Sequence, residues 1–113
     1  VDRTRAAARY RELLADDPIV LPPAAPEGFR HAHHLFPVRV RDRRRIYDGL
    51  HAAGIGAQVH YVPIHHHPVM APYGPFDLPE ADRAYEQLLS IPLYPGLTDA
   101  DQDRVIDVLR SLW

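Results

Sequence analysis

Apolar positions recur at helical spacing in four stretches of the chain. The first covers residues 2 to about 15, where apolar side chains fall every three to four positions among arginines. The second follows Asp42, a candidate N-cap, and stops at Gly54, where a left-handed C-cap is expected. The third covers residues 79 to 89, and the fourth begins at Thr98, with an acidic residue three positions later in a weaker form of the capping box. The pattern therefore predicts four helices.

Other stretches alternate between apolar and polar positions, as half-buried strands do. These are residues 31 to 41, which include Pro37, and residues 55 to 62. Because proline lacks the backbone donor, the first strand should lie at an edge or pair irregularly there. A short extended segment is expected at residues 90 to 94. The order of elements predicts an α/β fold, namely a small two-layer sandwich with a sheet of about three strands and helices packed on one side.

Length and composition narrow the class of protein. The 113 residues suit one domain, which we assign to residues 1–113. A formal net charge of −2 offers no basic surface for a phosphate backbone, so nucleic acid is not an expected partner. No apolar run approaches the roughly 20 residues of a membrane span, and no signal-peptide pattern opens the sequence, so we expect a cytoplasmic protein without a membrane partner. The chain has no cysteine, which excludes disulfides and thiolate chemistry.

The choice of basic residues bears on cofactor chemistry. All 13 basic residues are arginine, so the chain has no lysine. Without a side-chain primary amine it cannot form a Schiff base with an aldehyde cofactor. The sequence also begins at Val1 without a methionine, within a helical pattern that lacks a cap. We interpret Val1 as a cut point inside a longer protein, and we expect no catalytic or cofactor-binding residue in this chain.

The segment from residue 58 to 67 holds one amide, one phenol and four imidazoles, and leads from a predicted strand into a proline-rich, irregular loop at 63–75. Loops anchored on a strand commonly present binding groups. These side chains could contact the hydroxyls and phosphate oxygens of a substrate, or shuttle protons. A transition metal is the third option, with His65 and His67 on one side of an extended segment and His60 nearby. The sequence contains no tight metal-binding motif, and it shows no nearby carboxylate that would orient one of these histidines. We therefore favour substrate contact and predict no metal.

Two segments of the sequence are fairly specific when taken together. Val59 to Pro63 reads Val-His-Tyr-Val-Pro, and Leu89 to Pro95 reads Leu-Ser-Ile-Pro-Leu-Tyr-Pro. With His34 to Val40, Leu50 to Gly56 and Thr98 to Val105, they resemble the C-terminal part of the DegT/DnrJ/StrS family of sugar aminotransferases, which belong to fold type I of the pyridoxal-phosphate (PLP) enzymes. The resemblance covers essentially the whole chain. Within the family it is closest to the transaminases of pseudaminic acid biosynthesis, which make a 4-amino-4,6-dideoxy sugar on UDP.

The resemblance implies that the chain is the small domain of a PLP-dependent transaminase, in which residues 1–15 end an interdomain helix. The large domain, which would supply the Schiff-base lysine and hold PLP, is absent. The implied reaction moves an amino group from glutamate to a keto-sugar nucleotide of the UDP or dTDP type, in a homodimer that makes amino sugars. The small domain would close over the site. The residues expected to contact the sugar nucleotide are Gln58, His60, Tyr61, Pro63, His65 and His34.

Two alternatives stay open. A branch of the same family carries histidine in place of the lysine and acts as a sugar-nucleotide 3-dehydratase, and the deciding residue would lie outside these 113 residues. The chain could also be a free-standing module that binds a nucleotide sugar without catalysis. The histidines at 65–67 are more numerous than in many relatives, so a preference for a particular sugar does not carry over.

Overall fold

Residues 3 to 113, the part of the chain that the computed structural model describes, form four α-helices and a small antiparallel sheet. The predicted α/β class is therefore confirmed, while residue 2, where the first helix was predicted to begin, lies outside the described part. No helix among residues 3 to 113 has the length and apolar character needed to cross a membrane. In chain order the elements are α1 (Arg3–Leu13), β1 (Phe36–Arg39), α2 (Arg43–Ala52), two 3-10 turns (Ile64–His66 and Pro68–Tyr73), α3 (Pro79–Gln87), β2 (Leu88–Ile91) and α4 (Asp99–Ser111).

The sheet consists of β1 and β2, which run antiparallel with Phe36 opposite Ile91 and Val38 opposite Leu89. All four of these side chains are buried. They make the core face of the sheet, since side chains two apart on a strand point the same way. The strand containing Pro37 was predicted to lie at an edge or to pair irregularly there, and β1 is an edge strand of the two-stranded sheet, with Pro37 opposite Ser90.

The sheet is narrower than the alternating pattern predicted. The strand expected at 55–62 is reduced to one bridge, in which Gln58 N lies 3.0 Å from Ser90 O and Ser90 N lies 2.8 Å from Gln58 O. In an antiparallel ladder the next bonded pairs would involve the residues two positions away. On one side that residue is Pro92, which has no backbone donor, and on the other it is Leu88, whose N–H already donates to the carbonyl of Ala84. The ladder therefore stops after one pair.

The predicted helix ends are mostly confirmed. Asp42 caps α2 by accepting a hydrogen bond from Arg45 N at 3.2 Å, and Gly54, with φ of +74°, follows the end of that helix in the left-handed region. Thr98 and Asp101 form a reciprocal capping box at the start of α4, in which Asp101 N donates to Thr98 Oγ1 at 3.1 Å. These caps depend only on neighbouring residues, so the local sequence is enough to specify them.

The end of α3 was predicted wrongly. Leu88 and Leu89 were assigned to the buried side of this helix, but the helix ends at Gln87 and both residues enter β2 directly. The carbonyl of Gln87 accepts a hydrogen bond from Val40 N at 3.0 Å, so the chain passes from helix to strand where a partner strand takes over its backbone groups. Pairing with a distant segment therefore overrides the helical spacing of these leucines.

The core lies where α4 packs against α1 and α2, and where α2 packs against β2. Gln102 is fully buried between the first and last helices, and its Nε2 donates to the carbonyl of Ala6 at 2.8 Å. The buried hydrophobic side chains are Ala6, Ala7, Tyr10, Leu14, Phe36, Val38, Val40, Ile46, Leu50, Ile55, Ala57, Leu89, Ile91, Leu97, Val105, Ile106 and Leu109.

Arginines connect the first and last parts of the chain on the surface. Nη2 of Arg9 lies 2.7 Å from an oxygen of Asp103, and Nη2 of Arg110 lies 2.9 Å from an oxygen of Asp17. The hydrogen bond from Arg110, followed by one from Trp113, holds the pKa of Asp17 below its ordinary value despite the opposing effect of burial. These bonds fix α4 against α1 and the turn after it.

Candidate functional site

Residues 57 to 61 and Tyr47 line an open surface depression of about 500 Å³. The backbone bridge of Gln58 to Ser90 ties the start of this segment to the sheet, after which the chain turns outward. The side chain of Gln58 is exposed, and Tyr61 is 80% exposed. An aromatic ring with this exposure is available to stack on a flat ligand or to pack on another protein surface.

His60 lies between these two exposed residues and is half-buried. Its ring stands edge-on to the ring of Tyr61, with centroids 4.9 Å apart. The Nε2 atom of His60 is buried and has no hydrogen-bond partner among residues 3 to 113. A buried imidazole nitrogen without a hydrogen-bond partner is destabilising. Among the predicted contact groups, this atom therefore has the strongest need of a partner from a ligand or from another segment of polypeptide.

A second depression, of about 390 Å³, is also lined by Gln58 and is bordered by the loop after β2 and by α4. It contains Tyr94, Asp101 and Arg104, none of which the sequence analysis selected as a site residue. Nη2 of Arg104 donates to the carbonyl of Ala53 at 2.6 Å, so this guanidinium closes the C-terminal end of α2 as well as lining the depression. Arg104 reaches this place because α4 packs against α2, and the sequence pattern does not predict that contact.

The other predicted contact residues are not all in one place. His34 borders a separate depression of about 280 Å³, with Phe36 and Arg11 on its walls. Pro63 is half-buried and precedes the first 3-10 turn. The structure thus brings Gln58, His60 and Tyr61 together, and places His34 elsewhere.

His65 faces α3 rather than the depression around Tyr61. Its side chain is 7% exposed, and its Nε2 lies 2.8 Å from Oδ1 of Asp82. The segment predicted to be irregular forms two 3-10 turns, so His66 also reaches Asp82 Oδ1, at 2.6 Å, while Nε2 of His67 lies 3.0 Å from the carbonyl of Val62. The side-by-side placement of His65 and His67 considered above is therefore wrong.

Asp82 is the orienting carboxylate that the sequence analysis did not find. Hydrogen bonds from His66 and then from His65 hold the pKa of this carboxyl below its ordinary value, against the opposing effect of desolvation. It is separated from these histidines by 16 and 17 residues, and no local pattern indicates the pairing.

The residues of this chain do not fit a covalent PLP site. The chain has no lysine, and the groups that line its depressions include no other side-chain primary amine. The chemistry of the described surface is that of contact and positioning through amide, imidazole, phenol and guanidinium groups.

The chain belongs to the DegT/DnrJ/EryC1/StrS aminotransferase family, which it matches over residues 1–110. It is 32% identical over 120 residues to the spore coat polysaccharide biosynthesis protein SpsC of Bacillus subtilis, covering 97% of this chain and 31% of that protein. It is 33% identical over 109 residues to a UDP-N-acetyl-3-dehydro-alpha-D-glucosamine 3-aminotransferase of Acidithiobacillus ferrooxidans, covering 96% of this chain and 29% of that protein. The chain therefore spans about 30% of the length of these relatives.

Solved structures agree with this assignment. DesV of S. venezuelae, in complex with a ketimine intermediate, superposes with a TM-score of 0.89 at 38% identity, covering 97% of this chain and 30% of that one. PseC of Helicobacter pylori, an aminotransferase of pseudaminic acid biosynthesis, superposes with a TM-score of 0.83 at 24% identity, over 98% of this chain and 32% of that one. The second likeness shows the fold alone, so the narrower resemblance to the pseudaminic acid enzymes stays a prediction.

Proposed function

We propose that this chain is the C-terminal small domain of a PLP-dependent sugar-nucleotide aminotransferase, and that it binds the sugar nucleotide and closes over a site held by a large domain. The observation that carries the proposal is a family match over residues 1–110 in a chain that has no lysine. A polypeptide of an aminotransferase family without a side-chain amine needs a second segment to hold the cofactor. The cytoplasmic location and the homodimer predicted above belong to the same proposal.

The arrangement around Tyr61 supports a role in substrate contact. The backbone bridge to Ser90 holds Gln58 on the sheet, and the exposed Tyr61 follows three residues later. His60 lies between them in the sequence, and its buried Nε2 has no hydrogen-bond partner among residues 3 to 113. When the ring turns outward, this nitrogen can accept a hydrogen bond from a substrate hydroxyl or donate one to a phosphate oxygen, depending on its tautomer. A backbone bridge that fixes Gln58 before a ligand binds lowers the cost of ordering that contact.

A large domain would cover a surface that is unusually apolar. Seven of the eleven exposed large hydrophobic side chains in the described part of the chain lie between residues 61 and 78. Exposed large hydrophobic side chains concentrated in one stretch of the chain suit a surface that another domain covers. We assign it to the large domain because the relatives are about three times as long as this chain. The residues concerned are Tyr61, Val62, Ile64, Val69, Tyr73, Phe76 and Leu78.

The reaction that we propose for the whole protein converts a keto-sugar nucleotide and glutamate into an amino-sugar nucleotide and 2-oxoglutarate. PLP, when bound by the large domain, supplies the electron sink for this exchange. The residues of this chain orient the sugar nucleotide and exclude water when the domain closes. A UDP-linked 4-keto-6-deoxy sugar is the first substrate to test, from the resemblance to the pseudaminic acid transaminases. A UDP-linked 3-keto sugar is the second, from the name of the Acidithiobacillus relative.

The test uses the full-length protein that contains this chain. Replacing Tyr61 by Ala should raise KM for the sugar nucleotide about tenfold, the equivalent of about 1.4 kcal/mol, and leave KM for glutamate unchanged. Phe29→Ala is the matched control, because Phe29 is an aromatic residue that is 76% exposed but lies outside both the depression and the apolar surface assigned to the large domain. Equal effects of the two substitutions on KM would contradict the assignment of the contact site.

The same assay separates the alternatives. An aminotransferase releases 2-oxoglutarate in step with the amino sugar, whereas a 3-dehydratase consumes the sugar nucleotide without consuming glutamate. A free-standing binding module would bind UDP-sugar by calorimetry with only the 113 residues present. Turnover by these 113 residues alone would refute the proposal that a separate large domain holds the cofactor.

A further inference from the structure

Two of the three consecutive histidines converge on one acidic side chain of α3. Nε2 of His65 lies 2.8 Å and Nε2 of His66 lies 2.6 Å from the same oxygen of Asp82, Oδ1. The potential ligand atoms of these three residues all lie within 4.8 Å of one another. No other group of three or more histidine, aspartate or glutamate side chains in residues 3 to 113 comes together in this way.

Backbone hydrogen bonds fix both sides of this cluster. His66 N donates to the carbonyl of Pro63 at 2.9 Å, which closes a 3-10 turn and places the rings of His65 and His66 with centroids 4.2 Å apart. On the facing side, Asp82 N donates to the carbonyl of Leu78 at 3.2 Å in the first turn of α3. The three side chains are therefore arranged by the fold before any ion binds, which reduces the ordering cost of binding.

The distances suit a small transition-metal ion. Imidazole nitrogen and carboxylate oxygen bind Zn²⁺ at about 2.0–2.2 Å, so tetrahedral ligand atoms lie about 3.4 Å apart. The separations of 2.8 and 2.6 Å have to open by about 0.6 and 0.8 Å to admit the ion. Asp82, whose side chain is 40% exposed, can move by this amount without disturbing the core.

The burial of the cluster resembles that of an open metal site. The side chain of His65 is 7% exposed, and the ring of Phe76 stands edge-on to it at 6.4 Å between centroids. The side chain of His66 is 52% exposed, which leaves a route for the ion and room for water in a fourth position. Two imidazoles and one carboxylate form a set that Zn²⁺, Co²⁺ and Ni²⁺ accept, whereas Mg²⁺ and Ca²⁺ prefer oxygen ligands.

We propose that His65, His66 and Asp82 form a binding site for one divalent transition-metal ion of the Zn²⁺ class. The ion connects the 3-10 turn at 64–66 to the first turn of α3, and so fixes the loop that follows Tyr61. The sequence analysis predicted no metal, because it did not identify the carboxylate of Asp82 as a neighbour of these histidines. The proposed metal site does not depend on the proposed aminotransferase function, since all three ligands lie in this chain.

The test is a metal titration of the 113-residue chain, purified without a histidine tag. Zn²⁺ binding is followed by calorimetry at neutral pH, and Co²⁺ serves as a visible probe of coordination geometry. We expect one equivalent bound with a Kd of about 1–10 µM, together with a higher unfolding temperature in the presence of Zn²⁺. His66→Gln and Asp82→Asn should each weaken binding at least tenfold, since disturbing even the outer partners of a metal site costs about 10–100-fold in affinity.

His67→Gln is the matched control, because it removes the adjacent histidine, whose Nε2 is engaged with the carbonyl of Val62. It should bind Zn²⁺ as the unaltered chain does. His66 is exposed, so His66→Gln keeps the fold, which circular dichroism without metal verifies. Absence of stoichiometric binding by the unaltered chain would overturn the proposal, as would full affinity in either His66→Gln or Asp82→Asn. In those cases the two histidines only donate hydrogen bonds to Asp82.

Discussion

Gln102 provides a quantitative test of how the first and last helices are held together. Its side chain is fully buried, and its Nε2 donates to the carbonyl of Ala6 at 2.8 Å. Gln102→Leu keeps most of the volume and removes the hydrogen bond, but it also removes a buried Oε1 that has no partner among residues 3 to 113, so the free energy of unfolding should fall by less than about 1 kcal/mol. Gln102→Ala removes the bond and also leaves a cavity, so its cost should be about 3 kcal/mol.

The measurement is urea denaturation of the chain, followed by far-UV circular dichroism and by the fluorescence of its single tryptophan, Trp113. For a chain of this length, a loss of 3 kcal/mol corresponds to a fall in unfolding temperature of roughly 12 °C. The ordering of the two variants is the decisive result. If Gln102→Leu destabilised the chain as much as Gln102→Ala, or if both cost less than about 0.5 kcal/mol, the packing of α4 on α1 described here would be refuted.

Three further predictions concern caps, backbone conformation and the exposed loop. Thr98→Ala should cost about 1 kcal/mol at neutral pH. Hydrogen bonds from Thr98 hold the pKa of Asp101 below its ordinary value, so the part of the stabilisation that involves this carboxylate is present above the ordinary carboxyl pKa and lost as pH falls through the lowered one. The difference between variant and parent should therefore narrow in acid melts to the part due to the bond from Asp101 N to Thr98 Oγ1. Gly54→Ala should cost about 1 kcal/mol because φ is +74° there, whereas Gly56→Ala, which meets no atom within 4 Å, should cost less in the same denaturation assay. Ile64→Ser should reduce the binding of a hydrophobic dye to the isolated chain without lowering its unfolding temperature, because the side chain is 68% exposed; an unchanged dye signal would argue against an apolar surface there.

The local features of the fold could be predicted from the sequence. Asp42, Gly54 and the pair of Thr98 and Asp101 act on backbone groups within three residues, so their roles are visible in the order of the amino acids. The stripe of α1 is likewise confirmed, since Tyr10 is buried as the helical spacing predicts.

Features that depend on contacts between distant segments could not be predicted. Leu89 has helical spacing, yet it lies in a strand because it pairs with Val38 of β1. Asp82 acquires its role only when the 3-10 turn that contains His65 and His66 packs beside α3. For the candidate contact site, the sequence correctly indicates that the residues from 58 to 61 lie near one another, but not that His34 borders a different depression.

The contact between α1 and α4 also constrains how this domain is made during protein synthesis. The hydrogen bond from Gln102 to Ala6 joins residues 96 positions apart, and the ion pair of Arg9 with Asp103 joins residues 94 apart. Contacts of such long sequence separation form late and slow the folding of a small domain. On the ribosome, α1 therefore lacks its contacts with α4 until the last helix has emerged, and a nascent chain stopped before residue 99 should be a preferred client of chaperones.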